Sequence, residues 1–263
     1  MSNPITRHVQ INGHQCRIWE KGTGEKIGFL AGIGGLTSWT PFLDHLAEET
    51  QVIVPSLPGF PGGSNLHTDL DNHLDWLIAT HDLLTKSGLK GCHLIGASVG
   101  GSLAADAVAL WPELAKTLSL IAPLGLFDEN EPVTDIYAQK PGQIRNLMCN
   151  SPDKYDIATS GVDEEDALEN EVIQQRAHEA AARILWPLSN TGLLKRLHRI
   201  QNKTLLIWGE DDPVLPLNYA RKFEESITGT VSRSVISGAR HLAELDQPRE
   251  VADAVLRFTL QNK

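Results

Sequence analysis

Short apolar runs bounded by turn residues recur along this chain, and between them apolar residues return at helical spacing. The runs Ile27–Leu30, Gln51–Val54, Cys92–Ile95, Leu118–Ile121, Thr204–Trp208 and Val231–Ile236 read as buried strands. Ahead of them, Val9–Ile11 and Cys16–Trp19 flank Asn12-Gly13, a strong hairpin signal. Leu70, Leu74, Leu77, Ile78, His81 and Leu84 mark one face of an amphipathic helix that Gly88 stops. Ser38 is expected to cap a helix with Pro41 in its first turn, carrying Trp39, Phe42, Leu43 and Leu46. A small-residue helix runs from Ser102 to Leu110, where Pro112 ends it. A last helix from Pro248 to Leu260 buries Val251, Val255 and Phe258. Buried strands alternating with helices predict an α/β fold, its mostly parallel sheet covered on both faces.

The rhythm breaks after the strand ending at Ile121. From Gly125 to Leu197 the chain is polar, acidic and helix-biased, and Asp163–Asp166 reads as the acidic start of a helix over Ala167–Trp186. The expected organisation is one core domain, residues 1–124 and 198–263, with 125–197 inserted as a helical lid. Ile136, Ile144, Met148, Trp186 and Leu188 are large apolar groups in this charged segment. They are the candidates for lining an apolar substrate pocket.

Composition narrows the function classes. A formal net charge of -10 without a Lys/Arg run argues against nucleic-acid binding. Cys16, Cys92 and Cys149 follow no metal or redox spacing, and their sparse, odd count fits a reducing compartment. The first residues lack the apolar core of a signal peptide, and no apolar run is long enough to span a bilayer. The expectation is a cytoplasmic protein acting on a small molecule, away from membranes, with no metal. Gly32-Ile33-Gly34-Gly35 follows a strand but lacks the spacing of a dinucleotide fingerprint, so no cofactor is expected.

The candidate chemistry centres on Leu94–Gly101, which contains Gly96-Ala97-Ser98-Val99-Gly100. A serine on a sharp strand-to-helix turn stands exposed at the sheet edge, provided that small residues flank it. Serine needs a base, and the base needs a carboxylate to set its tautomer. His241 lies in a loop between the last strand and the last helix. Three acids could partner it: the adjacent Asp211 and Asp212 after one late strand, and Asp128 after the strand before the insertion.

Serine, acid and histidine in this order resemble the α/β-hydrolase superfamily. The resemblance extends over essentially the whole chain. It rests on Gly-Ala-Ser-Val-Gly-Gly, Leu-Leu-Ile-Trp-Gly-Glu-Asp-Asp-Pro-Val-Leu-Pro, Gly-Ala-Arg-His-Leu and Leu-Pro-Gly-Phe-Pro-Gly-Gly-Ser. It implies an eight-stranded, mainly parallel sheet with a lid after the sixth strand. It implies Ser98 as nucleophile, His241 as base, Asp212 as acid, and the Ile33 and Val99 N–H groups as an oxyanion hole. Two positions depart from the family pattern: Ala31 stands where histidine is common, and Ser56 where aspartate is common. Haloalkane dehalogenases and many epoxide hydrolases of this fold use Asp as nucleophile, whereas this chain has Ser98. The expected activity is therefore hydrolysis of a carboxylic ester of a small or medium, largely apolar substrate through an acyl-enzyme. The alternatives are carbon–carbon bond hydrolysis of a ring-cleavage diketone, whose enzymes often carry Asn and Trp where Ala97 and Leu242 stand, and a non-catalytic small-molecule binder.

Overall fold

The computed structural model describes residues 3–261 apart from 141, 161–166 and 187–189. Eight strands form one sheet: β1 (Ile5–Ile11), β2 (His14–Lys21), β3 (Lys26–Leu30), β4 (Gln51–Pro55), β5 (Cys92–Ala97), β6 (Ala115–Ile121), β7 (Lys203–Gly209) and β8 (Val231–Ile236). Their order is β1-β2-β4-β3-β5-β6-β7-β8. β2 pairs antiparallel with both of its neighbours, and every other pairing is parallel. The β1–β2 hairpin turns through Asn12 (φ 48°) and Gly13 (φ 80°), the left-handed pair that a two-residue hairpin loop demands.

Helices α1 (Pro41–Ala47) and α9 (Pro248–Leu260) pack together on one face, and α2 (His73–Lys86) and α3 (Ser98–Leu110) on the other. β3, β5, β6 and β7 are buried along nearly their whole length because helices cover both sides. From β3 the chain goes to β4 on one side, then to β5 on the other. The carboxyl ends of β3 and β5 therefore flank a point where strand order reverses, the usual crevice for ligands in an open α/β sheet.

Two local expectations differ from the fold. The α1 N-cap is Thr40, with no side-chain bond. Ser38 instead donates its hydroxyl to the Ile157 carbonyl at 2.9 Å, a long-range acceptor that outcompetes a local cap. Leu74 and Ile78 lie on the outer side of α2, 56% and 44% exposed. That helix is instead started by a reciprocal capping box between Asn72 and Asp75.

Between β6 and β7 the chain forms α4 (Ile144–Met148), α5 (Pro152–Ser160) and α6 (Ala167–Leu185). The acidic run 163–166 lies outside the described residues. This excursion is tied back to the sheet layers. Arg196 clamps the buried Asp106 of α3 through two bonds of 2.5 and 2.6 Å, and His73 holds the same carboxylate at 2.7 Å. The Thr37 N–H donates to the Ala158 carbonyl at 2.8 Å. After β7 come α7 (Asn218–Ser226) and the short α8 (Ala243–Asp246).

Candidate active site

Ser98 opens α3 directly from the end of β5, with its backbone at φ 51°, a left-handed conformation costly for a side chain with a Cβ. Surrounding close packing holds it there. A Cβ at Gly96 would lie 2.6 Å from the Gly100 carbonyl oxygen, and one at Gly100 would strike the carbonyls of Leu30 and Ala31. Glycine at both positions lets the turn close against β3.

The Ser98 hydroxyl lies 2.8 Å from His241 Nε2, and His241 Nδ1 lies 2.9 Å from Asp212 Oδ2. The side chains of His241 and Asp212 are fully buried. The other Asp212 oxygen accepts the backbone N–H groups of Val214 (2.8 Å) and Leu215 (3.0 Å), which fixes the carboxylate plane. The carboxylate therefore favours the tautomer with the proton on Nδ1, leaving Nε2 to accept the hydroxyl proton. The acid and histidine loops meet because position 209 is glycine. A Cβ there would overlap the carbonyl oxygens of Ala239 and Arg240.

Neither of the other two acids is bonded to His241. Asp211 is exposed, and its N–H donates to the Ala239 carbonyl. Asp128 pairs with Lys222 and accepts the Asn130 N–H at 2.8 Å. The Lys222 hydrogen bond holds its carboxyl below the ordinary range.

The two segments that carry the expected oxyanion donors, Val99 and Ile33, meet at Ser98. Val99 lies in the first turn of α3, which has no side-chain cap, so its N–H has no intrahelical partner. Ile33 sits in a tight turn closed by the Gly35 N–H on the Gly32 carbonyl at 3.0 Å. That turn abuts the serine: a Cβ at Gly32 would be 3.2 Å from the Ser98 Cβ.

A model of the alpha/beta hydrolase family matches residues 29–254, spanning the elbow, the excursion and the histidine loop. The chain belongs to the alpha/beta hydrolase family. The 2-hydroxy-6-oxo-6-(2'-aminophenyl)hexa-2,4-dienoic acid hydrolase of Metapseudomonas resinovorans is 24% identical, covering 97% of this chain and 90% of that one. The 2-hydroxy-6-oxo-6-phenylhexa-2,4-dienoate hydrolase of Comamonas testosteroni is 26% identical, covering 92% and 90%. Among solved structures, the naproxen esterase of Bacillus subtilis superposes with a TM-score of 0.73 at 16% identity, covering 97% and 91%. With relatives of this kind over nearly its whole length, the chain is a hydrolase.

The five apolar residues expected at the pocket have different fates in this hydrolase. Ile136 is buried and lines a small cavity with Leu124, Tyr137, Leu185 and Val214. Met148 is fully buried, and its carbonyl accepts the Leu242 N–H at 2.9 Å, one residue from His241. Ile144 is half-buried against the core. Trp186 is a correction: it is 67% exposed and lines an open surface groove with Leu70, Asp71, Glu179 and Arg183. It follows the last turn of the amphipathic α6, on the solvent side. Leu188 lies outside the described residues.

Other residues emerge only from the structure. The Asp246 carboxylate accepts the N–H groups of Arg240 (2.9 Å) and Asn150 (3.0 Å), bracing the chain on either side of the site. Its only sequence signal is an acid shortly before Gln247-Pro248. Tyr155 of α5 directs its hydroxyl at Gly34 and lies 3.4 Å from His178 Nε2 of α6. Burial pushes the Tyr155 phenol up and the His178 imidazole down, so both stay neutral. Among the described residues, no cluster of His, Cys, Asp or Glu is placed to hold a metal, and no helix is long and apolar enough to cross a membrane.

Proposed function

We propose that this alpha/beta hydrolase cleaves a carboxylic ester of a small or medium, largely apolar substrate through an acyl-enzyme. Ser98 is the nucleophile, His241 the base and Asp212 the acid. The observation that carries this reading is the unbroken hydrogen-bonded chain from the Ser98 hydroxyl through both His241 nitrogens to Asp212. Ser98 attacks the ester carbonyl as His241 takes its proton. The Ile33 and Val99 N–H groups stabilise the oxyanion, and the imidazolium then protonates the departing alkoxide. Water attacks the acyl-enzyme by the same route. Residues 125–197 act as the lid, supported by the Gln174 side-chain contact to the Gly34 carbonyl at 3.5 Å and by the bonds from Thr37 and Ser38 to α5.

A second reading is carbon–carbon bond hydrolysis of a vinylogous diketone, favoured by the names of the full-length relatives. Against it, Ala97 precedes the serine and Leu242 follows the histidine, where such enzymes often carry Asn and Trp. The test is fluorophosphonate labelling of Ser98, followed by a panel of acyl esters of graded length run beside a vinylogous diketone. Labelling with turnover of esters supports the first reading. Turnover of the diketone alone selects the second, and a folded protein that neither labels nor turns over is a binder.

A further inference from the structure

The turn from Gly32 to Gly35 carries the Ile33 N–H and is packed from three directions. A Cβ at Gly32 would meet Leu242 at 2.8 Å and Ser98 at 3.2 Å, and one at Gly35 would meet Pro61 at 2.6 Å and Phe60 at 2.9 Å. Those four neighbours lie outside the excursion. The third direction is different. A Cβ at Gly34 would meet the Tyr155 hydroxyl at 2.7 Å and Thr159 Cγ2 at 3.0 Å, both on α5 of the excursion.

This turn depends on its surroundings. Gly34 and Gly35 have φ values of 87° and 65°, and a glycine backbone has wide freedom on either side of zero. Ala31, just before the turn, has no polar side chain to tether it. The 3.0 Å bond from the Gly35 N–H to the Gly32 carbonyl orients a single peptide plane, which holds both that carbonyl and the Ile33 N–H. It sets where the N–H points within the turn. Packing must set where the turn sits.

The last turn of α5 is built onto this loop. Carbonyls at the end of a helix lack intrahelical donors. Here Ile157 takes the Ser38 hydroxyl at 2.9 Å, and Ala158 takes the Thr37 N–H at 2.8 Å and the Thr37 hydroxyl at 3.3 Å. Thr159 takes the side-chain amide of Gln174, which also lies 3.5 Å from the Gly34 carbonyl. Tyr155 is 5% exposed, and its hydroxyl lies 3.4 Å from His178 Nε2 of α6, so the phenol is itself held in place.

We propose that Tyr155 is a positioning residue for the oxyanion hole: its hydroxyl, packed on Gly34, holds the turn that carries the Ile33 N–H. It touches no reacting atom and acts through Gly34. This rests on the serine-hydrolase reading and deepens it. The excursion does more than cover the site, because α5 supports one of the two oxyanion donors. A donor displaced from the developing charge stabilises the transition state less, while the bound ester hardly senses it.

The test compares wild type with Tyr155→Phe, which removes only the atom that meets Gly34. On p-nitrophenyl butyrate, kcat should fall about tenfold while KM stays within about twofold. The inhibition constant of an alkyl trifluoromethyl ketone, whose adduct with Ser98 places an oxyanion in the hole, should rise about tenfold as well. Gly34→Ala supplies a second measurement. Its Cβ would collide with the Tyr155 oxygen, so its loss in kcat should be at least about threefold smaller in the Tyr155→Phe background than in wild type. A kcat within twofold of wild type, a loss confined to KM, an unchanged ketone affinity or additive losses from the two substitutions would each overturn the proposal. Fluorophosphonate labelling of wild-type Ser98 separates these outcomes from failure of the serine-hydrolase reading. If wild type neither labels nor turns over esters, both readings fall together.

Discussion

Asp246 accepts the backbone N–H of Arg240 at 2.9 Å, one residue before the imidazole that faces Ser98. The same carboxylate takes the Asn150 N–H, so it joins the histidine loop to the end of the excursion. Asp246→Ala should cost about 1–3 kcal/mol of stability by leaving these donors without their charged acceptor. Freed by even 1 Å, the imidazole loses alignment, and kcat/KM should fall on the order of 10–100-fold. Urea denaturation measures the first effect and the rate of fluorophosphonate labelling the second. A labelling rate equal to wild type would show that the loop holds its geometry without Asp246.

The proposed acid is tested by three single changes. Asp212→Asn keeps the shape but favours the wrong imidazole tautomer, a change worth about 10⁴ in turnover in serine-protease triads. Asp211→Asn and Asp128→Asn should each change kcat less than about threefold, because neither carboxylate is bonded to His241. A large loss from Asp128→Asn with Asp212→Asn nearly silent would move the acid to the strand before the excursion.

Strain at the elbow makes a prediction about stability rather than rate. Ser98→Ala and Ser98→Gly should both lose acyl-enzyme formation. They differ in backbone cost, because φ 51° is penalised for alanine and open to glycine. Ser98→Gly should be the more stable of the two by about 1 kcal/mol, measured by thermal denaturation at one pH. The reverse order would mean that the left-handed turn is not under strain.

Glu244 gives a pH dependence with a definite sign. It is 4% exposed, one carboxylate oxygen has no partner, and it stands three residues beyond His241. Burial raises its carboxyl from 4.5 to about 7, which its own backbone N–H and the charge of His241 offset only in part. A raised carboxyl means that the folded state binds more protons than the unfolded state between pH 4.5 and 7. Stability attributable to this group is therefore highest below 4.5 and falls as pH rises through 7. Glu244→Gln removes the titration. Relative to wild type, it should gain up to about 3 kcal/mol between pH 4.5 and 8, read from urea midpoints across that range. A stability difference independent of pH would show that Glu244 titrates normally.

Much of this architecture is carried by neighbours in sequence. The Asn12-Gly13 hairpin and the serine elbow are local because a positive φ and the steric room around it are set within a few residues. The buried strands are legible because burial on both faces demands continuous apolar runs. Ser38 illustrates where local reasoning stops: its hydroxyl finds an acceptor at Ile157, on a helix that no nearby residue specifies. Trp186 has the composition of a pocket residue but faces outward, because a helix's orientation depends on what the rest of the chain packs against it. Asp246 and Tyr155 carry no pattern of their own, and their partners lie on other elements of the chain. The sequence by itself determined the alternation of strand and helix, the strained serine turn and the chain order of serine, acid and histidine. The tertiary structure brought Asp212 to within 2.9 Å of His241, and it alone decided which apolar side chains of the excursion are buried and which, like Trp186, face outward. Those contacts depend on the order in which strands enter the sheet and on packing between distant segments, neither of which a local preference encodes.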